Sequence, residues 1–275
     1  MMTHLVAETP AEPILEISGL EVIYQRAITA IQGVSISVAR NSITALVGTN
    51  GAGKSTTLSA IAGFMRADDA QIPQGKITFD GRSLLGLRAY EISALGIGLV
   101  PERDKIFRTM TVSENLAASI TRRSASESPV SLDNIWGLFP RLNERSNSVA
   151  GYLSGGERQM LAVSMALLNG PRLMLIDEMS LGLAPIVLAQ LQDTIRRLRR
   201  EFGITFLIVE QNASVALDLA DYTYVMENGR IVFDGVSDKL RSHDDFRDFY
   251  LGVGQAGDRS YQDVKQYRRK RRWFG

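Results

Sequence analysis

The chain has 275 residues, 45% hydrophobic and 22% charged, with a net charge of +1 and no cysteine. This composition is ordinary for a soluble globular protein. It excludes disulfides and cysteine-based metal sites, and no apolar run approaches the roughly 18 residues of a membrane helix. The charge is uneven: residues 253–275 carry seven basic side chains against Asp258 and Asp263, leaving the rest of the chain at −4. The body is therefore no basic nucleic-acid surface.

Residues 1–13 hold Pro10 and Pro13 and little pattern, and read as a disordered leader without the charged and apolar regions of a secretory signal. Ile14 to Tyr24 alternates as a strand, with Leu15, Ile17 and Leu20 as candidate core positions, and Val34 to Val38 alternates cleanly. Asn41-Ser42 turns into the apolar strand Ile43–Val47. There follows Gly48-Thr49-Asn50-Gly51-Ala52-Gly53-Lys54-Ser55-Thr56, opening a helix that runs to Phe64. This is the spacing G-x-x-x-x-G-K-[ST] in a strand–loop–helix context. Glycines let backbone N–H groups close on phosphate oxygens. The helix start offers further N–H groups and a positive dipole end. Lys54 reaches the β- and γ-phosphates, and Ser55 can ligate Mg²⁺. The plain alternative is a glycine turn that happens to precede a lysine.

Beyond this loop, Gln71 to Gly75 reads as a loop, Lys76 to Asp80 as a strand, Asp80-Gly81 as a turn, Leu84 to Leu95 as a helix and Ile97 to Val100 as a short buried strand. Between Glu102 and Ala150 strand signals disappear, and Val112–Thr121 and Leu132–Phe139 read as helices. Tyr152 to Glu157 opens another helix, through about Leu168. Leu173–Ile176 is uniformly apolar, the mark of a strand covered on both faces. Asp177 and Glu178 follow it directly, where a carboxylate faces the crevice at the strands' C-terminal ends. Asp177 suits Mg²⁺ and Glu178 suits general-base work on a water; the alternative is an acidic turn. Pro185–Arg200 is an amphipathic helix with Val187, Leu191, Ile195 and Leu198 on one stripe. Ile204–Val209 is a second buried strand, Glu227-Asn228-Gly229 joins a hairpin, and two short helices follow to about Leu251. Alternating buried strands and helices predict an α/β P-loop domain.

Leu153-Ser154-Gly155-Gly156-Glu157 is a second glycine pair at a helix start, yet the chain has one phosphate loop. Such a site fits another subunit's nucleotide; the alternative is a plain helix cap. Together with 48–55 and 173–178, it makes residues 14–252 resemble an ABC-transporter ATPase, with LSGGE in place of LSGGQ. The stretches Val100-Pro101-Glu102, Phe107, Met110–Leu116, Ser180–Pro185 and Glu210-Gln211-Asn212 are similar to the ATP-binding subunits of high-affinity branched-chain amino-acid importers. The resemblance implies a mixed, mainly parallel core sheet, an N-terminal antiparallel β subdomain and a helical subdomain inserted at about 102–165. It implies ATP and Mg²⁺ as ligands, with Tyr24 stacking on adenine and Glu102 sensing the γ-phosphate and Mg²⁺. Gln211 then stands in for a switch histidine, since His4 and His243 lie outside every motif. Tyr24 as a merely packed aromatic is the alternative there.

As partners the resemblance implies a second ABC ATPase subunit, identical or, as expected here, related but different. It further implies two membrane permeases and, indirectly, a periplasmic solute-binding protein, with the chain on the inner face of the plasma membrane. The family default is import of branched-chain amino acids, while urea, amides and aromatic acids use similar ATPases. Met179, where the family has proline, and Arg103-Asp104-Lys105 depart from its pattern. A non-transport ABC ATPase would want a long coiled coil or a second ATPase domain, and a nucleotide kinase leaves Ser154-Gly155-Gly156 unexplained. The run Lys265–Arg272 in the 253–275 tail reads as a solvated segment or a contact to anionic lipid.

Overall fold

The computed structural model describes residues 12–242, apart from 66, 68, 104–105 and 121–128, together with Phe246. The expected leader up to residue 11, the basic tail and both histidines lie outside the described residues.

Two sheets organise the molecule. β1 (Pro13–Tyr24), β2 (Ile28–Ala39), β4 (Ala70–Phe79) and the two-residue β5 (Arg82–Ser83) form an antiparallel sheet in the order β2-β1-β4-β5. β3 (Ile43–Gly48), β6 (Ile97–Val100), β7 (Leu173–Asp177), β8 (Thr205–Glu210), β9 (Tyr222–Glu227) and β10 (Arg230–Val236) form the second, in the order β10-β9-β3-β8-β7-β6. Its pairs are parallel except β9–β10.

β3, β7 and β8 are buried along their whole length because each feeds two cores. Ile43, Ala45, Met174, Ile176, Phe206 and Ile208 face one core, shared with helices Gly155–Leu167, Pro185–Phe202 and Ala213–Leu219. Their alternates Leu46, Leu173, Leu175, Leu207 and Val209 face the other, filled from β1, β2, β4 and helix Lys54–Ala62. Period-two alternation thus sends neighbouring side chains to opposite layers.

Helix Pro185–Phe202 shows why these segments fold locally as they do. Proline opens it, Arg199 and Arg200 sit in its last turn, and Gly203 at φ +66° caps it through an N–H to Arg199 O. Leu191, Ile195 and Leu198 are fully buried on one stripe, each contributing roughly 1.5–3 kcal/mol. Between β6 and β7, helices Val112–Ser119 and Pro140–Glu144 pack on helix Gly155–Leu167, and Leu132–Leu138 packs on Pro140–Glu144. No strand lies among the described residues there, only a bridge between Thr111 and Val149.

Several elements differ from their expected form. The expected loop at 71–75 is strand: β4 runs through Pro73 and Gly75, because there β4 is paired on β1 and open on its other side, where proline is tolerated. Gly75 adopts φ +111°, and a Cβ there would fall 2.6 Å from Leu20 Cα. The helix expected over 84–95 is only Ala89–Ala94, since Gly86 at φ +84° breaks its first half. β2 starts six residues earlier than expected, and helix Ala213–Leu219, capped by Asn212 Oδ1 on the N–H groups of Ser214 and Val215, was not anticipated. Of the two closing helices, Ser237–Arg241 is described, and beyond residue 242 only the buried Phe246 is.

Candidate active site

Four parallel strands end on one edge of the larger sheet, and the site residues are the ends of those strands. The pairings Val47↔Glu210, Asp177↔Val209 and Val100↔Ile176 bring Gly48, Asp177, Glu210 and Pro101-Glu102 to that edge. Crevices at the carboxyl ends of parallel strands are where such sheets bind ligands. A cleft of about 500 Å³ opens there, lined by Gly51, Lys54, Ser55, Glu102, Glu178 and Gln211 among others.

The 48–56 loop is shaped by its neighbours. A Cβ on Gly48 would meet Met226 O at 2.3 Å, and one on Gly53, at φ +107°, would meet Ala30 O at 2.8 Å. Both glycines are therefore required by close approach to β2 and β9, independently of any ligand. Asn50, Gly51, Gly53 and Thr56 line the cleft, whereas Ala52 is turned into the core and hands its carbonyl to Gly229 N. Gly53 caps helix Lys54–Ala62 without any side-chain bond, leaving the first-turn N–H groups to the cleft. Lys54 is 5% exposed; its Nζ donates to Gly48 O (2.8 Å) and Thr49 O (3.2 Å) and lies 3.3 Å from Glu178 Oε1.

Glu178 is the second anchor of the cleft. Its φ of +49° is left-handed, which costs a residue with a Cβ about 1–2 kcal/mol. Its N–H donates to Val209 O (2.9 Å), and its Oε2 accepts from Gln211 N (3.2 Å). The structure thus brings Lys54, Glu178 and Gln211 together, Gln211 through its backbone. Asp177 is buried; one carboxylate oxygen, Oδ1, has no hydrogen-bond partner. Burial pushes its carboxyl above the usual range, reinforced by the charges of Glu178 and Glu102 and opposed by a Ser55 hydrogen bond and Lys54. A hydroxyl and carboxylates around an orphaned oxygen make a hard-oxygen donor set that fits Mg²⁺, which takes one or two carboxylates plus phosphate oxygens and water. No cluster of three His, Cys, Asp or Glu among the described residues could cage a metal alone. Glu102 reaches the cleft with its carboxylate 3.1 Å from the exposed Arg103 guanidinium.

Tyr24 ends β1, and its hydroxyl bonds Thr56 Oγ1 at 3.3 Å, beside the loop but not lining the cleft. Ser154 and Glu157 form a reciprocal cap, Ser154 N donating to Glu157 Oε2 (2.8 Å) and Glu157 N to Ser154 Oγ (3.3 Å). Arg145 lies 3.1 Å from the same carboxylate. The bonds from Ser154 and the charge of Arg145 hold the Glu157 carboxyl below its ordinary range, against a burial effect of opposite sign. Glu157 is therefore spent within its own chain. A Cβ on Gly156 would fall 2.4 Å from Val187 Cγ1, so this glycine faces helix Pro185–Phe202. Gly155 lines a separate cleft of about 270 Å³ that shares Glu102, Arg103 and Leu181 with the larger one. The structure does not place Ser154, Gly156 or Glu157 in the Lys54 cleft.

Glu210 is a residue that sequence reasoning quoted within the 210–212 stretch but gave no role. It is fully buried, and both oxygens accept from Ser180, from N at 2.8 Å and Oγ at 2.6 Å. Burial pushes its carboxyl up to about 7 against those bonds. The signal was there: a carboxylate closing an otherwise apolar strand, as at Asp177.

A P-loop cleft at the edge of a mixed sheet, beside an antiparallel sheet and a helical insert, defines an ATP-binding cassette. The family model described as ABC transporter matches residues 31–180. The chain is 44% identical over 229 residues to the high-affinity branched-chain amino acid transport ATP-binding protein BraG of Pseudomonas aeruginosa, covering 83% of this chain and 96% of that one. It is 35% identical over 220 residues to the probable branched-chain amino acid transport ATP-binding protein LivF of Archaeoglobus fulgidus, covering 80% and 91%. A crystal structure of an ABC transporter's ATP-binding cassette in its ADP conformation superposes with a TM-score of 0.72 at 27% identity, over 87% of this chain and 99% of that one. The chain belongs to the ABC transporter family; it is an ATP-binding and ATP-hydrolysing transporter subunit. No helix among the described residues is long and apolar enough to cross a membrane.

Proposed function

We propose that this chain powers an importer of branched-chain or closely related amino acids, working on the cytoplasmic face of the plasma membrane. The observation that carries the catalytic part is the convergence of Lys54, Ser55, Glu178 and Gln211 on one cleft, with the buried Asp177 hydrogen-bonded to Ser55 beside it. The named activities of the relatives support the solute.

ATP would lie along the 48–56 loop, its phosphates on the N–H groups of the first turn of helix Lys54–Ala62, with Tyr24 beside the base. Lys54 then exchanges Gly48 O, Thr49 O and Glu178 for phosphate oxygens, which frees Glu178 Oε1. Glu178 takes a proton from water as the water oxygen bonds the γ-phosphorus and the bond to the β-bridging oxygen breaks, ADP leaving. Gln211 holds Glu178 from behind through its N–H and offers its side-chain amide to water or the γ-phosphate. Ser55, Asp177 and Glu102 would hold Mg²⁺, which when bound neutralises phosphate charge. Ser154, Gly155 and the start of helix Gly155–Leu167 serve the ATP of a second ATPase subunit, since they stand outside this chain's Lys54 cleft. The helical insert passes the closure to two permeases, and a solute-binding protein delivers the cargo.

The test is Glu178→Gln. It keeps the cradle and removes the base, so ATP binding should persist while steady-state hydrolysis falls about 10²–10⁴-fold. Turnover within about threefold of wild type would remove Glu178 from this role.

A further inference from the structure

Glu210 is used by none of the roles above, yet it is among the most committed side chains at the strand edge. It has no solvent exposure, and its two oxygens accept from Ser180 N (2.8 Å) and Ser180 Oγ (2.6 Å). A buried carboxylate is tolerated only where its acceptors are filled, so this pair of bonds is a built contact. Ser180 lies two residues beyond Glu178 and opens the turn that leads into helix Pro185–Phe202. Glu178 itself adopts φ +49°, a conformation that its own residue type disfavours and that its surroundings must hold. β8 does so on both sides: Val209 O accepts from Glu178 N at 2.9 Å, and Glu210 grips Ser180. The next residue along, Gln211, donates its N–H to Glu178 Oε2 at 3.2 Å.

We propose that Glu210 is a positioning residue that clamps the 178–180 turn onto the end of β8, so that the Glu178 carboxylate stands between Lys54 and the Gln211 N–H. The inference rests on the reading of Glu178 as the base. The clamp touches neither nucleotide nor water; it fixes the angle from which Glu178 meets them. Because Glu210 adjoins Gln211, it also keeps the turn after β7 and the turn after β8 moving as one piece.

Steady-state kinetics of the full-length chain, in the assembly with which it purifies, test this with Glu210→Leu, Glu210→Gln, Ser180→Ala and Glu178→Gln measured side by side. Glutamine can keep both bonds, its oxygen accepting from Ser180 N and its amide donating to Ser180 Oγ; leucine keeps neither. Glu210→Leu should lower kcat about tenfold or more with KM for ATP within about threefold, the signature of a displaced base over an intact cradle. Glu210→Gln should restore kcat to within about threefold of wild type, and Ser180→Ala, which loses one bond, should lower kcat about threefold with KM unchanged. A folded Glu210→Leu with near-wild-type kcat, losing only thermal stability, overturns the proposal. Should Glu210→Leu fail to fold, Ser180→Ala decides, and an unchanged kcat there overturns it. Glu178→Gln separates the two readings. If it turns over normally, the base assignment fails and the clamp with it. If it is inactive while Glu210→Leu is normal, only the clamp fails.

Discussion

Burial decides the titration of Glu210, and the sign of its effect on stability follows. Its carboxyl lies at about 7 in the folded chain against 4.5 in the reference state, because burial outweighs the two Ser180 bonds. The folded state thus holds the proton more tightly than the unfolded state. The stability this confers is full below about pH 4.5 and is lost as pH rises through about 7. The gap corresponds to about 3 kcal/mol. Glutamine does not titrate, so the stability of Glu210→Gln relative to wild type should grow by up to about 3 kcal/mol between about pH 4.5 and pH 8. Denaturant unfolding at a series of pH values measures this, and parallel pH profiles for the two proteins would contradict it.

At the scale of elements, Gly156 shows a glycine with two explanations. The sequence places it in a glycine pair suited to phosphate, but its missing Cβ points at Val187 Cγ1, 2.4 Å away. Alanine in an open helical position would stabilise by about 1 kcal/mol relative to glycine. Here the overlap with a stiff β-branched side chain should instead destabilise by about 1–3 kcal/mol. Gly156→Ala should therefore lower the unfolding midpoint, and in a Val187→Ala background the same change should become neutral or stabilising. Stabilisation in the wild-type background would show that the two helices are not in contact at this point. The contrast also marks what a sequence can reveal. The 43–56 strand, loop and helix were legible because an apolar run, three glycines and a lysine lie within fourteen neighbouring positions. Asp177-Glu178 was legible because acid follows a uniformly apolar strand. The carboxylate closing β8 was visible in the sequence, but its grip on Ser180 spans thirty residues and the meeting of Gly156 with Val187 thirty-one, so local pattern named the partner of neither. β4 was obscured for the related reason that pairing with β1 overrides the turn propensity of Pro73 and Gly75. Helices Val112–Ser119 and Leu132–Leu138 were readable from the loss of alternation, whereas the five-residue helix Pro140–Glu144 and the seven-residue helix capped by Asn212 were too brief a signal.

Across the whole molecule, Lys54 and the Ser154–Gly155 helix start line separate clefts of one chain, and the proposed function has a second subunit bring such a helix start to the nucleotide in the Lys54 cleft. Gly155 tests this without disturbing packing, because a Cβ there would touch only Gly182 O at an ordinary 3.7 Å. Glu at this first helical position agrees with the helix dipole, so the fold should hold, but it sets a carboxylate against the incoming γ-phosphate. Gly155→Glu should bind ATP on its own loop as wild type does and lose ATP-driven association with its partner subunit, read by sedimentation with and without ATP. Lost ATP binding with intact association would place both features on the same nucleotide within one chain. The most direct measurement on the molecule as a transporter subunit is ATP-dependent uptake of labelled leucine by vesicles carrying the assembled system, with wild-type chain or with Glu178→Gln. The wild-type chain should support uptake that depends on ATP, and Glu178→Gln should abolish sustained uptake while still binding ATP. Equal leucine uptake with the two chains, or none with either while the wild type hydrolyses ATP, would contradict an amino-acid importer driven from this cleft.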